Sequence, residues 1–183
     1  MPLLKTDAYT IDYIYNLPDG QRAELVDGQL YDMAPPNRIH QKLLSELHYK
    51  IREYIEKNNG SCEVYPAPFA VFLNKDDHNY VEPDISVIYD KNKLDERGCN
   101  GAPDWVIEIV SQSTQRIDYG IKLFKYRSSG VREYWIVNPM KQTVQTYSFE
   151  GEEDSAQYSF SDEIPVYIYD GLTIQISKLL DGS

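Results

Sequence analysis

Glu108 sits in a stretch with little room for a charge. The run Asp104-Trp105-Val106-Ile107-Glu108-Ile109-Val110 is otherwise apolar enough for the centre of a sheet. Strand alternation puts Val106, Glu108 and Val110 on one face and Trp105, Ile107 and Ile109 on the other. A carboxylate buried there without a partner is costly, so it needs a cation or a proton. The plainer alternative is an arginine partner within the sheet. A second carboxylate, Asp84, follows Pro83 and opens the candidate strand Asp84-Ile85-Ser86-Val87-Ile88-Tyr89. Proline lacks a donor and suits a strand's first position, although Pro-Asp alone also reads as a strand-start aspartate meeting water. Lys122 lies four residues after Asp118 on the helix that follows Glu108. It either forms an exposed i,i+4 pair, acid first, or points across the sheet towards Glu108.

Two carboxylates and a lysine make chemical sense together. Carboxylate oxygens suit Mg²⁺ (or Mn²⁺), which keeps several waters and binds through one or two acids plus substrate phosphate. Such an ion polarises a phosphoryl oxygen and lowers the pKa of a bound water. A neighbouring ammonium orients that water or stabilises developing negative charge.

The elements that must position these residues can be read from pattern and turn chemistry. Residues 9–17 suggest a short helix with Thr10 or Asp12 near its start, closed by Pro18-Asp19-Gly20. Residues 22–33 read as a hairpin about Asp27-Gly28, with Leu25 facing Leu30 and Glu24 facing Tyr31. The clearest helix is 37–58, with Asn37 as N-cap and Asn59-Gly60 as its stop. Its apolar stripe is Ile39, Leu43, Leu44, Leu47, Ile51, Tyr54 and Ile55. Strand material at 62–73 is broken near Pro66 and Pro68; 74–80 and 90–103 read as loops. Ser113 or Thr114 opens a helix over 115–128, with Ile117, Ile121 and Phe124 as its apolar stripe and Gly130 as its end. Strands at 131–137 and 142–149 flank the turn Asn138-Pro139, and 155–180 holds short β pieces and a final turn of helix. Strand 104–110, helix 115–128 and strand 132–137 form a natural crossover unit.

The 183 residues fit one domain, 1–183, with a core at about 10–150. The fold class is α/β: a mixed sheet flanked by helices, with an N-terminal hairpin and a C-terminal β extension. Apolar residues make up 42%, enough for a core at this length, and the 16 tyrosines suit half-buried strand faces. No apolar run of about 18 residues occurs, so no membrane span is expected. The opening MPLLKTDAYT lacks the features of a secretory signal. Cys62 and Cys99 do not form a close ligand pair, which argues against structural zinc. A cytoplasmic location with two free thiols follows as the default, with a single disulfide left open. The net charge of −11 argues against non-specific affinity for nucleic acid, although a local patch or a metal can offset it. Lys125, Arg127 and Arg132 are candidates for such a patch, a solvated face being the other reading.

Pro83-Asp84 followed by Glu108-Ile109-Val110 resembles the PD-(D/E)XK nuclease pattern. The closer resemblance is to the Uma-type restriction endonuclease family. It is carried by Glu24-Leu25-Val26-Asp27-Gly28, Pro35 with His40, Glu82-Pro83-Asp84-Ile85 and Val106-Ile107-Glu108-Ile109-Val110-Ser111. It continues through Asp118, Lys122 and Tyr126 to Gly130-Val131-Arg132-Glu133-Tyr134-Trp135, covering about 10–180. The resemblance implies a restriction-endonuclease-like core, with a metal held by Asp84, Glu108 and the Ile109 carbonyl. It also implies Glu24 reaching the site from the hairpin, with His40 and Asp118 as accessory candidates. The lysine expected two residues after the glutamate is Val110 here, which nominates Lys122 from the next helix.

Three functions follow as expectations. The first is a metal-dependent endonuclease hydrolysing phosphodiester bonds in DNA. The second is an inactive nuclease-fold interaction or regulatory module, a homodimer in one form, with the tyrosine-rich strands 131–137 and 142–149 at its interface. The third is a carboxylate-pair hydrolase such as a glycosidase, using Asp84 and Glu108 as its two acids.

Overall fold

The computed structural model describes residues 8–152 and 154–181. The reading of the first residues as free of a secretory signal falls largely outside that span, as do both ends of the 1–183 domain. A short helix α1 (Ile11–Tyr15) leads into a hairpin of β1 (Ala23–Val26) and β2 (Gln29–Asp32). The turn residues Asp27 and Gly28 have φ of 48° and 77°, the pair of positive angles a two-residue hairpin turn needs. Leu25 stands opposite Leu30 and Glu24 opposite Tyr31, the register read from the sequence.

The long helix α2 (Arg38–Lys57) starts where Asn37 accepts the His40 N–H. It buries Leu43, Leu47, Ile51 and Ile55. Ile39, expected on that stripe, is exposed, because the first turn of α2 stands at the rim of a cleft rather than over the sheet.

The main sheet has six strands. In chain order they are β3 (Glu63–Pro66), β4 (Ile85–Ile88), β5 (Trp105–Ile109), β6 (Glu133–Asn138), β7 (Thr143–Ser148) and β8 (Asp154–Ser159). Across the sheet they run β8-β7-β6-β5-β4-β3. Only β5 and β6 pair in parallel; the other four pairings are antiparallel. That parallel pair is joined by a helical crossover, a π-helical turn at Ile117–Lys122 running into α3 (Leu123–Ser129), closed by Gly130 at φ 98°. The mixed α/β fold expected from the sequence is the fold observed. The tyrosine-rich strands β6 and β7 pair with each other inside the sheet, and β8 covers the far edge of β7, so neither presents a free edge.

Alternation along β5 sorts the core into two layers. Trp105, Ile107 and Ile109 pack against α2 and the C-terminal segment, which ends in α4 (Ile176–Asp181). Val106 and Val110 pack on the opposite face with Tyr126, Tyr134 and Ile136. Glu108 belongs to this second face.

Two readings are corrected. The loop expected over 90–103 carries strands Leu94–Asp95 and Gly98–Asn100, which pair with each other and, through the latter, with Val71–Phe72. Gly98 is required there: a Cβ would lie 2.1 Å from the Ala70 carbonyl oxygen. The crossover helix is one residue out of phase with its expected stripe. It buries Asp118, Lys122, Lys125 and Tyr126, while Ile121 and Phe124 are 37% and 68% exposed. Both stripes have helical spacing, and hydrophobicity chose the wrong one, because Glu24 and Glu108 hold Lys122 inward, Asp27 holds Lys125, and Tyr126 fills the core beneath.

Candidate active site

Asp84 immediately precedes β4. Continuing the register Ile85 to Ile107 one step beyond the strand sets Asp84 across from Glu108 on the same face. The Asp84 side chain folds along the end of the sheet, where Oδ2 accepts the Ile109 N–H at 2.7 Å. His40 Nε2 lies 3.2 Å from the same oxygen. The Asp84 N–H approaches Glu108 Oε2 at 3.4 Å.

Glu108 is 4% exposed and has no arginine partner among the described residues. Its Oε1 accepts from Lys122 Nζ at 2.8 Å and from the Tyr126 hydroxyl at 2.6 Å. Lys122 comes from the π-helical turn and follows the second reading, towards Glu108, rather than the exposed pair. It lies 3.7 Å from Asp118 as an i,i+4 pair, but buried rather than exposed, and it reaches Glu108. It also meets Glu24 Oε2 at 2.7 Å.

Glu24 is delivered by the hairpin, which is fastened along β1 and at its turn. Leu25 exchanges backbone hydrogen bonds with Tyr80 at 2.7 and 2.8 Å, bringing Glu24 Oε1 to the Glu82 N–H at 2.9 Å. Lys125 Nζ bonds Asp27 at the turn. Lys125 is thus withdrawn from the expected basic patch. Arg132 pairs with Asp104 and Glu150, and Arg127 lies over the Phe149 ring.

Three carboxylates, Glu24, Glu108 and Asp118, therefore meet one ammonium, with Asp84 beside Glu108. Burial pushes Glu108 well above the usual carboxylate range, opposed by Lys122 and reinforced by Asp118, Asp84 and Glu24. Burial likewise raises Asp118 to about 6, with Lys122 and Thr114 pulling it down. Burial alone would lower Lys122, but Glu108, Glu24 and Asp118 outweigh it and hold the ammonium charged. His40 is raised: its desolvation is outweighed by its bond to Asp84. Asp84, Glu108, Glu24, Asp118, Lys122 and His40, the six side-chain candidates, line one cleft of about 610 Å³ together with Ile109. Among the described residues, no three His, Cys, Asp or Glu side chains are arranged together to hold a metal.

The Uma2 family model, described as a putative restriction endonuclease, matches residues 11–177. The chain belongs to the Uma2 family. A curated relative, an uncharacterized protein of Synechocystis sp., is 24% identical over 165 residues, covering 88% of this chain and 85% of its own. The crystal structure of a putative nuclease belonging to DUF820 from Anabaena variabilis superposes with a TM-score of 0.75 at 22% identity. It covers 94% of this chain and 97% of that one, and shows that the two share a fold. Membership makes this Uma2 chain nuclease-like.

The site also contains residues that the sequence reading did not assign. Arg22 lines the cleft, its guanidinium bonded to Glu82 through Nε and Nη2. Glu82 is held in turn by the Tyr80 hydroxyl at 2.7 Å. Arg22 stands two residues before Glu24, and Glu82 two before Asp84, so this spacing was the signal available for both. Tyr126 stands four after Lys122 on the same helical face. Among the described residues no helix is long and apolar enough to cross a membrane, and both cysteines are free.

Proposed function

We propose that this chain hydrolyses phosphodiester bonds in DNA with a divalent cation, Mg²⁺ or Mn²⁺, held by Asp84, Glu108 and the Ile109 carbonyl. The observation that carries this reading is a buried surplus of carboxylate over ammonium, with Asp84 and Glu108 side by side at the end of a central strand. The donor set suits a hard cation: Glu108 Oε2 and Asp84 Oδ1 accept no hydrogen bond of ordinary length from the described residues. Two carboxylates, one carbonyl and waters are a usual complement for Mg²⁺, which seldom uses a full cage of side chains. Ladder alternation supports the carbonyl. Val110 N–H bonds towards β6, so Ile109, the residue before it, turns its own N–H and C=O towards Asp84.

When bound, such a cation polarises a phosphoryl oxygen and acidifies a coordinated water. Lys122 keeps its proton at Nζ and supplies fixed positive charge where negative charge develops. Glu24 and Asp118 hold that ammonium in place. Arg22, 42% exposed and anchored by Glu82, turns its remaining N–H groups to a phosphate. Ile109 N–H and His40 restrict the Asp84 carboxylate to one orientation.

The test is cleavage of plasmid and single-stranded DNA with Mg²⁺ or Mn²⁺, beside calorimetric titration of either ion. Glu108→Gln and Asp84→Asn are expected to abolish both cleavage and ion binding while the circular dichroism spectrum is kept. Wild-type protein that binds neither ion and cuts nothing would refute the reading.

A further inference from the structure

We infer that Tyr126 is a positioning residue: its hydroxyl decides which oxygen of Glu108 is offered to the cation. This rests on the cation reading above. The tyrosine is fully buried and packs edge-on against Tyr134, ring centroids 4.9 Å apart. Its hydroxyl donates to Glu108 Oε1 at 2.6 Å, the same oxygen that takes Lys122 at 2.8 Å. Oε1 is thereby occupied twice. Oε2 is left facing Asp84, with only the 3.4 Å approach of the Asp84 N–H.

Lys122 is poorly suited to set this orientation alone. An ammonium is a compact charge with rotatable donors and little directional preference. This one is also shared, lying 2.7 Å from Glu24 and 3.7 Å from Asp118. The terminal torsion of a glutamate is soft and two-fold, so nothing intrinsic to Glu108 prevents its oxygens from exchanging places. The phenol has one O–H, on a ring locked by packing against Tyr134, and that O–H is committed to Glu108 Oε1. It fixes the carboxylate as the outer partners of metal-binding groups do. Removing such partners typically weakens affinity by about 10–100-fold.

The test compares Tyr126→Phe with Tyr134→Phe. Tyr134 is an equally buried tyrosine, whose hydroxyl donates to the Asp118 carbonyl at 3.0 Å. Both variants are followed by Mn²⁺ titration calorimetry without DNA and by thermal melts in EDTA. Tyr126→Phe is expected to weaken Mn²⁺ binding about 10–100-fold. Tyr134→Phe is expected to lower the melting temperature with Mn²⁺ affinity kept to within about threefold. Unchanged Mn²⁺ affinity in Tyr126→Phe, with wild type binding the ion, overturns this inference alone. A wild type that binds no Mn²⁺ overturns the cation reading and this inference together. A second measurement needs no variant at Tyr126: the infrared carboxylate bands of ¹³C-glutamate-labelled protein, with Glu108→Gln as the difference reference. Mn²⁺ should shift the Glu108 bands to a one-oxygen coordination signature, and a two-oxygen signature overturns the inference.

Discussion

Lys122 faces more negative charge than it can neutralise, and this imbalance governs how single residues should behave. Lys122→Ala leaves Glu24, Glu108 and Asp118 buried without their cation. A loss of about 3–5 kcal/mol in urea unfolding is expected. Asp118→Asn removes one surplus charge and should raise the metal-free melting temperature; a lower value would contradict this account. The pH dependence has a definite sign. Asp118 titrates near 6 in the fold against 3.8 for the free group, so the folded state holds its proton more tightly. Its contribution to stability is therefore lost as pH rises from about 4 to about 6. Glu108, raised by burial, continues the loss to higher pH, and His40, raised from 6.5, adds to it above that value. Melting temperatures in EDTA should fall from about pH 5 to pH 8, and less steeply in Asp118→Asn; a flat profile would contradict the charge surplus. At this scale Glu108 was legible because a carboxylate in an apolar strand violates its surroundings. Arg22 and Glu82 were not, because each stands just outside a strand, where a charge looks ordinary until its partner is known.

Among elements, the hairpin and α2 were legible because their signals are local: an Asp-Gly turn and an N-capping asparagine. The crossover helix was not, since two stripes with the same spacing compete along it and only tertiary contacts choose between them. Its π-helical turn contains Gly120, which has no positive φ, and a Cβ there would meet nothing within 4 Å. Gly120→Ala should stabilise the protein by about 0.5–1 kcal/mol through the loss of unfolded-state freedom, measured in urea. Destabilisation would mean that the wide turn needs the glycine. The short strands within 90–103 were hidden by their length, since two or three residues cannot display an alternation.

For the whole molecule, the mixed sheet and its crossover were foreseeable from the order of elements. The path of the C-terminal segment was not. It is pinned by buried Glu133, which accepts the N–H groups of Tyr167 and Ile168 at 3.0 and 2.9 Å, a contact across 34 residues of chain that no local pattern announces. The net charge of −11 also acts at this scale. With its nearest cations committed to carboxylates, the proposed DNA binding should show a shallow salt dependence. A log–log slope no steeper than about −3 is expected, corresponding to roughly three phosphate contacts. Arg22→Gln should flatten that slope by about one, and an unchanged slope would remove Arg22 from the phosphate path.

The inward lysines and outward Ile121 and Phe124 leave the crossover helix locally frustrated: hydrophobic burial alone would rotate it by about one residue. The acids beneath oppose that rotation, and so does Tyr126, which is fully buried against Tyr134. Evolutionary loss of those acids would therefore remove one of two restraints on the helix. What remained would be a balance between one aromatic ring kept in the core and two apolar side chains, Ile121 and Phe124, kept in water.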